Sequence, residues 1–541
     1  MSSLEPFKPD DAEKAGSRTQ SSPGSPMPVT SSTSTNDNPD YLKGTSFWIV
    51  TIALGVQVFI VNLEIPVVTT SLVAIVADLG GFDKLSWVLS SYLLGYVAII
   101  VIFAKLGDIF GRKPIFTLSI VLFIIFSAAC SASQNITQLI IFRALQGLGG
   151  GGSYSLSQVI ITDIVPPSDY SKYVSQLSIV SSLALLLGPI IGGAISSHTT
   201  WRWIFIINVP VSVIALVLAM VGMPRGFGFR GRSVDMKKAF KSQLAQLDIL
   251  GAVLLLFAVL SITAGFQEAG SAFPWRSAYV ITLLVLSIIF WTALLLWEHH
   301  VTLRDSTREP VLPSRFFSNR VMVGALLGLF FLGGPIVVSI FQIPERFQLV
   351  YGLSGLDAGV RLIPFSLAVP FGTGIASSIA TKFKIPAVFI IIAGSVLQVV
   401  GFALLGTLPD TLDIPPRIYG FEILAGFGCG MNFTPLFIVI TRAVEQRDQS
   451  VGLGAGNQFR LIGSAVVIAV STSLFNSYTG SELPGFPAGS ESSDQLSLLA
   501  LDSVRLVLSR AYKRQMLVLA ASAAAQIPAG FLLWKREQIL I

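Results

Sequence analysis

Five charged side chains stand inside long apolar stretches of this 541-residue sequence: Glu64, Arg143, Arg361, Glu422 and Arg460. An ionised group is costly in such surroundings and is kept where it faces a protein interior and a partner. A carboxylate held there can bind and release a proton, and a guanidinium can hold that carboxylate or another anion. Glu64 and Arg143 together are read as the candidate proton-coupling pair. Glu422 and Arg361 are placed near the ends of their stretches, where a long side chain can snorkel to the interface. Amides join them in such stretches, among them Gln57, Asn62, Gln146, Gln158, Gln342, Asn432, Asn457 and Gln458. Such groups serve either as hydrogen-bonding glue between helices or as the polar points of a binding cavity.

A second cluster runs Ala104-Lys-Leu-Gly-Asp-Ile-Phe-Gly-Arg-Lys-Pro114 and is expected to be a loop of about nine residues between two apolar spans. Asp108 can accept charge-assisted hydrogen bonds or sit at a helix N-terminus, and Arg112 and Lys113 can hold an acid or a lipid phosphate. With Gly111, these residues form a candidate conformational latch. Glycine is concentrated in Arg143-Ala-Leu-Gln-Gly-Leu-Gly-Gly-Gly-Gly152 and Gly188-Pro-Ile-Ile-Gly-Gly193. Small residues let membrane helices approach closely, and Pro189 bends its helix. The three histidines, His198, His299 and His300, have no metal-ligand spacing, and no G-x-x-x-x-G-K-[ST] phosphate loop occurs. Cys130 and Cys429 are too few for a staple or a metal cage. No metal or other cofactor is expected.

What positions these residues follows from composition. Only 12% of residues are charged and 52% are hydrophobic, with a mean hydropathy of +0.73, against about 25% charged in a soluble domain. So little charge excludes a soluble enzyme and an ordinary nucleic-acid binder, and leaves the lipid bilayer as the solvent. Apolar runs of roughly twenty residues, enough to cross about 30 Å of hydrocarbon, recur fourteen times. They lie near 46–67, 85–104, 114–132, 138–162, 174–196, 203–222, 248–267, 278–297, 321–343, 357–379, 385–407, 416–441, 452–475 and 515–534. The runs are continuous rather than alternating, so the fold is all-α and polytopic.

With the N-terminus inside, 24 Lys and Arg fall on the interior side and nine on the exterior, which puts both termini in the cytoplasm. Residues 1–44 are rich in Ser, Pro and Thr and read as a disordered cytoplasmic tail without a cleavable signal. The Asn135-Ile-Thr137 sequon lies too close to the membrane to expect glycosylation.

From about residue 46 to 535 the sequence resembles the major facilitator superfamily, in its branch of fourteen-span drug:proton antiporters. Leu106, Asp108, Gly111, Arg112 and Lys113 match G-x-L-x-D-x-x-G-R-K, with Ala104 replacing the first glycine. Arg143, Gln146, Gly147 and Gly149 match R-x-x-Q-G. Gly188, Pro189, Gly192 and Gly193 match the antiporter motif G-P-x-x-G-G, while Val180 and Ala184 replace its upstream glycines. Trp201-Arg-Trp-Ile-Phe205 with Asn208 and Pro210, Gly359-Val-Arg-Leu-Ile-Pro364 and Arg460-Leu-Ile-Gly463 are also similar to that branch. Leu63-Glu64-Ile-Pro66 stands where the family has Leu-Asp-x-Thr, a variant that resembles fungal toxin exporters.

The resemblance implies a major facilitator fold of 14 helices: two six-helix bundles plus two inserted helices. It divides the chain into the tail 1–44, an N-terminal bundle 45–222, a basic cytoplasmic loop 223–247, an inserted pair and linker 248–320, and a C-terminal bundle 321–541 with a long exterior loop 476–514. It implies a midplane cavity between rocking bundles, with Gln57, Asn62, Gln146, Phe330, Phe331, Phe341, Gln342, Asn432, Phe433, Asn457 and Arg460 as its candidate lining. The expected activity is export of lipophilic small molecules (toxins, secondary metabolites or drugs) by proton antiport across the plasma membrane. Uptake or vacuolar transport of a siderophore, basic amino acid or other nutrient is one alternative, and a membrane sensor without flux is another. The partners expected are the cargo, protons and the lipid bilayer; no nucleic acid is involved, and the oligomeric state is open, with a monomer expected.

Overall fold

The computed structural model describes residues 41–541 apart from 81–83, 167–168, 225–245, 271–272, 304–307, 484–497, 537 and 540–541. The tail 1–40 and most of the loop 223–247 therefore lie outside the described residues. Fourteen long helices make up nearly all of the remainder. The first six are α1 (Gly44–Leu79), α2 (Leu85–Phe110), α3 (Arg112–Ser131), α4 (Ile136–Ile164), α5 (Tyr170–His198) and α6 (Arg202–Gly222). The middle pair is α7 (Ile249–Glu268) and α8 (Ala278–Leu303). The last six are α9 (Arg320–Leu349), α10 (Ile363–Phe383), α11 (Ala387–Gly406), α12 (Arg417–Ala443), α13 (Gln449–Glu482) and α14 (Leu498–Leu532).

Each helix forms because it satisfies its own backbone where water cannot. Side chains cap several starts: Asn135 accepts from the Gln138 amide at 2.9 Å, Asp248 from Gly251 at 3.0 Å and Asn319 from Val321 at 3.0 Å. Asn135 of the sequon is thus the N-cap of α4.

Among the described residues thirteen helices are long and apolar enough to cross a membrane; α4 is the long helix left out of that set. Its glycines, serines and amides dilute its hydropathy, and it compensates by packing against protein, with 20 of its 29 residues buried. Helices α1 to α6 pack among themselves through α2–α4, α3–α4, α1–α5 and α1–α6. Helices α9 to α14 do so through α10–α12, α11–α12, α9–α13 and α11–α14. The pair α7–α8 is held together by Phe257 stacked on Phe290 at 5.5 Å, and α7 lies against both α2 and α13.

Three sequence expectations are corrected. The nine-residue loop after span 2 is a single residue: α2 runs to Phe110, α3 starts at Arg112, and Gly111 makes the turn at φ 93°. That positive φ is strained for any residue with a Cβ. The exterior loop 476–514 is largely helix, because α13 continues to Glu482 and α14 begins at Leu498. Charge ends an apolar run without ending a helix, and Asp410 holds that extension of α14 through Lys513 at 2.8 Å and Arg510 at 3.2 Å. Finally, Glu422 does not snorkel: its side chain is fully buried and neither carboxylate oxygen has a hydrogen-bond partner.

Candidate functional site

Glu64 lies twenty residues into α1, about 30 Å from its start at 1.5 Å per residue. Arg143 lies seven residues into α4, which runs the opposite way, so the two meet in the half of the bundle away from the Lys/Arg-rich end. Both are buried and they form an ion pair through Arg143 Nη1 and Glu64 Oε1. Gln146, one turn after Arg143, donates to the same oxygen at 3.1 Å, and Asn208 of α6 donates to Oε2. Every hydrogen bond to this carboxylate therefore comes from α4 or α6. The guanidinium also donates to the Val88 carbonyl at 3.1 Å and to Gln146 Oε1 at 2.8 Å, and stacks 4.3 Å from the Tyr92 ring centroid. Its Nη2 is buried without a hydrogen-bond partner. Ser127 of α3 completes the cage, accepting from Gln146 at 2.8 Å. Five helices, α1, α2, α3, α4 and α6, thus enclose one buried charge pair whose hydrogen bonds are shared among several partners.

The glycine motifs build the walls of this cage. A Cβ on Gly147 or Gly151 would meet the backbone of Tyr92 or Tyr96 on α2, and one on Gly149 would meet the Phe123 backbone on α3. On α5, Gly188 packs on Pro66 and Gly192 on Val67 and Thr70, while Gly193 has open space around its Cβ position. The helix α1 continues through Pro66. So α5 rides on the turn of α1 that follows Glu64.

At the Lys/Arg-rich end, Arg112 gathers several partners. It bridges Asp108 at 2.5 Å and Asp163 of α4 at 2.9 Å, and donates to Ser450 at the start of α13. Lys113 instead caps the end of α6, donating to the carbonyls of Met220 at 2.7 Å and Met223 at 2.5 Å. Above the contact of Ser450 with Arg112 at the start of α3, the same face of α13 meets α2, at positions four residues apart. Gly454 faces Val101 and Ala104, and Gln458 donates to the Val97 carbonyl at 3.0 Å. Nearby, Arg315 pairs with Asp448 at 2.6 Å beside a cavity of about 160 Å³ lined by Phe316, Asn319 and Met322. That volume falls below the ~300 Å³ of a drug-sized site, and the cavity lies at the end away from Glu64.

The candidate lining residues separate into groups. Gln146 belongs to the Glu64 cage. Gln57 donates to Ser153 at 3.1 Å, and half-buried Asn62 donates to the Val58 carbonyl at 2.8 Å. Asn432 is tied to Ser395 and Gln526, both at 2.8 Å, and Gln342 to Ser471 at 2.9 Å, all within the last six helices. Phe330 and Phe331 meet edge to face at 5.3 Å, and Phe341 is half-buried. Buried Asn457 sits three residues before Arg460, whose guanidinium lies 5.6 Å from the Phe433 ring centroid. Arg361, at the break before α10, bonds the Tyr419 hydroxyl at 3.1 Å.

Sequence reasoning passed over Tyr92, Tyr96 and Tyr154, whose rings follow one another at 5.9 Å from beside Arg143 toward α13. Arg346 is counted among the nine exterior Lys and Arg by sequence, but it is buried in α9 within electrostatic reach of Glu422. Tyrosines spaced i and i+4 within a span were the available signal.

The sequence model of the Major Facilitator Superfamily matches residues 47–269 and 249–468. The MFS-type transporter FPY5 of Fusarium mangiferae is 34% identical over 508 residues, covering 92% of this chain and 85% of its own. The MFS-type efflux pump LUC4 of a Fusarium species is 31% identical over 84% of this chain and 80% of its own. Among solved structures, the xylose transporter XylE from E. coli superimposes with a TM-score of 0.53 at 14% identity, over 91% of this chain and 98% of its own. At that identity the likeness is one of fold alone.

Proposed function

The chain belongs to the Major Facilitator Superfamily, and from that premise we propose that it exports lipophilic small molecules by proton antiport. The observation that carries this reading is the Glu64–Arg143 pair, sealed inside the first six helices and seated on the same stretch of α1 that the glycines of α5 ride on. A proton taken by Glu64 removes the charge that holds Arg143, Gln146 and Asn208, so the cage rearranges. The motion passes to α5 through Pro66 and Gly188. LUC4, named an efflux pump, supports the outward direction.

In this reading residues 45–222 and 321–541 are two bundles that rock about a midplane cavity, with 248–320 as the inserted pair and linker. Asp108 and Arg112, with Asp163 and Ser450, latch the end that faces the cytoplasm, while Gly111 and Lys113 set the angle of α3 against α6. Both termini are cytoplasmic and the membrane is the plasma membrane. A tenfold proton gradient supplies about 1.4 kcal/mol per proton, and 100 mV of potential adds about 2.3 kcal/mol.

The test is uphill extrusion of a lipophilic fluorescent probe from proteoliposomes under an imposed pH gradient. Glu64→Gln and Arg143→Ala should abolish uphill transport while leaving downhill exchange measurable. Undiminished uphill export by both variants removes this pair from the coupling step.

A further inference from the structure

Four arginines are buried among the described residues: Arg112, Arg143, Arg346 and Arg460. Arg112 and Arg143 pair with acids, and Arg346 has Glu422 within electrostatic reach. Arg460 has no acid. Its residue is 7% exposed, its Nε is buried without a hydrogen-bond partner, and no hydrogen bond or ion pair from its side chain occurs among the described residues. A guanidinium in a membrane interior is usually matched by a counter-ion. Arg346, whose Nε also lacks a hydrogen-bond partner, at least has Glu422 within electrostatic reach, whereas Arg460 has no acid in reach among the described residues.

Its surroundings indicate what that partner is. Arg460 lies eleven residues into α13, about 15 Å above the Arg112–Ser450 contact at 1.5 Å per residue. It sits just past Gln458, where the α2–α13 seam makes the contact with Val97. On its own side is Phe433, which meets Phe437 edge to face at 5.2 Å. From the other bundle comes Tyr96, within electrostatic reach of the guanidinium and 5.9 Å from the rings of both Tyr92 and Tyr154. A free cation thus stands among aromatic rings contributed by both halves of the protein.

We propose that Arg460 is an anion receptor at the junction of the two bundles, and that the transported class is amphipathic aromatic anions, a ring system carrying one carboxylate, enolate or sulfonate. This deepens the export reading and rests on it. The guanidinium offers two parallel N–H donors to the acidic group, and Phe433 and Tyr96 flank the ring system. Exchange of one monoanion outward for one proton inward moves two charges in the direction an inside-negative potential favours. A neutral cargo moves one.

The experiment uses the full chain in lipid nanodiscs and a matched pair of fluorescent probes. These are 8-anilinonaphthalene-1-sulfonate and N-phenyl-1-naphthylamine, which differ by the sulfonate alone. Arg460→Gln should lower the anion-to-neutral affinity ratio by about tenfold or more, the value of one charge-assisted hydrogen bond. Arg460→Lys, which keeps the charge and loses the fork, should fall between, and it decides the matter if the glutamine variant does not fold. A ratio within about twofold of the unmodified protein for the folded variant, or an equal loss for both probes, overturns the assignment, since one charged hydrogen bond is worth more than that. Proteoliposomes separate this from the parent reading. Uphill export of the neutral probe with no Arg460-dependent preference for the anion refutes the receptor and keeps the exporter. Arg460-dependent anion binding with no pH-driven flux of either probe upholds the receptor and refutes the exporter.

Discussion

Replacing Glu64 by glutamine keeps the shape of the cage and removes its negative charge. Arg143 then remains ionised, buried and without an acid, since its Nη2 already lacks a hydrogen-bond partner and the rest of its contacts are the Val88 carbonyl, Gln146 and aromatic rings. Breaking a buried ion pair from one side costs about 3–5 kcal/mol. At about 2–4 °C per kcal/mol for a unit the size of the first six helices, the melting temperature should fall by about 6–20 °C. Glu64→Gln/Arg143→Gln leaves two amides that can bond each other and no stranded charge. The double variant should therefore melt above Glu64→Gln alone, with a coupling energy of about 2–3 kcal/mol.

The protein carries its own reporters for this measurement. Cys130 and Cys429 are both free and buried, and Cys130 Sγ lies 3.6 Å from Gln146 Oε1 in the cage, while Cys429 sits on α12. A thiol-reactive dye followed against temperature, on variants keeping one cysteine at a time, reads the two halves separately. Glu64→Gln should advance the reaction of Cys130 ahead of that of Cys429. Effects that add to within about 0.5 kcal/mol, the figure for independent sites, would refute the claim that the two residues act as one unit; so would earlier exposure of Cys429.

Two further outcomes test the packing and the surface. A Cβ on Gly192 would meet the Val67 backbone and Thr70, whereas one on Gly193 meets nothing outside its own helix within 4 Å among the described residues. Gly192→Ala should lose about 1–3 kcal/mol of stability through overpacking and slow transport, and Gly193→Ala should do neither, as read by thermal melting and probe flux. Asp410 lies outside the spans, and burial alone would raise the pKa of its carboxyl. The hydrogen bonds and charges of Lys513 and Arg510 outweigh this and hold it below the ordinary carboxylate value. Its contribution is present above that ordinary value and is lost as the pH falls through the lowered one. For so exposed a cluster it should be less than about 1 kcal/mol, a small Asp410→Asn difference at neutral pH that vanishes in strong acid.

Helix number and order were legible because a hydrocarbon core imposes one length on every span, and this length survives in the spacing of apolar runs. Boundaries outside the bilayer were not. The stretch 498–514 carries Arg505, Arg510, Lys513 and Arg514 and still continues α14, since charge signals the edge of lipid and says nothing of where a helix stops. The Glu64–Arg143 pairing could be guessed from two rare charges in one bundle. The third partner could not: Asn208 is 144 residues from Glu64, and nothing local distinguishes it from an ordinary helix-terminal polar residue. Ser450 is 338 residues from Arg112 and is equally silent in sequence. Tyr92, Tyr96 and Tyr154 escaped notice because a tyrosine in an apolar run counts toward hydropathy, and its hydroxyl acquires meaning only from what the fold sets beside it.

The polarity of α4 bears on how the chain is made. Ribosomes deliver α1 to α4 into the lipid before α6 exists, so Glu64 must wait for Asn208. A segment with a basic residue near one end and five glycines after it has little reason to leave an aqueous translocation pore by itself. It gains a reason once α2 and α3 offer the backbone surfaces that its glycines fit and α1 offers a counter-charge. The packing of α4 on α2 and α3 thus favours its entry into lipid in their company over entry alone.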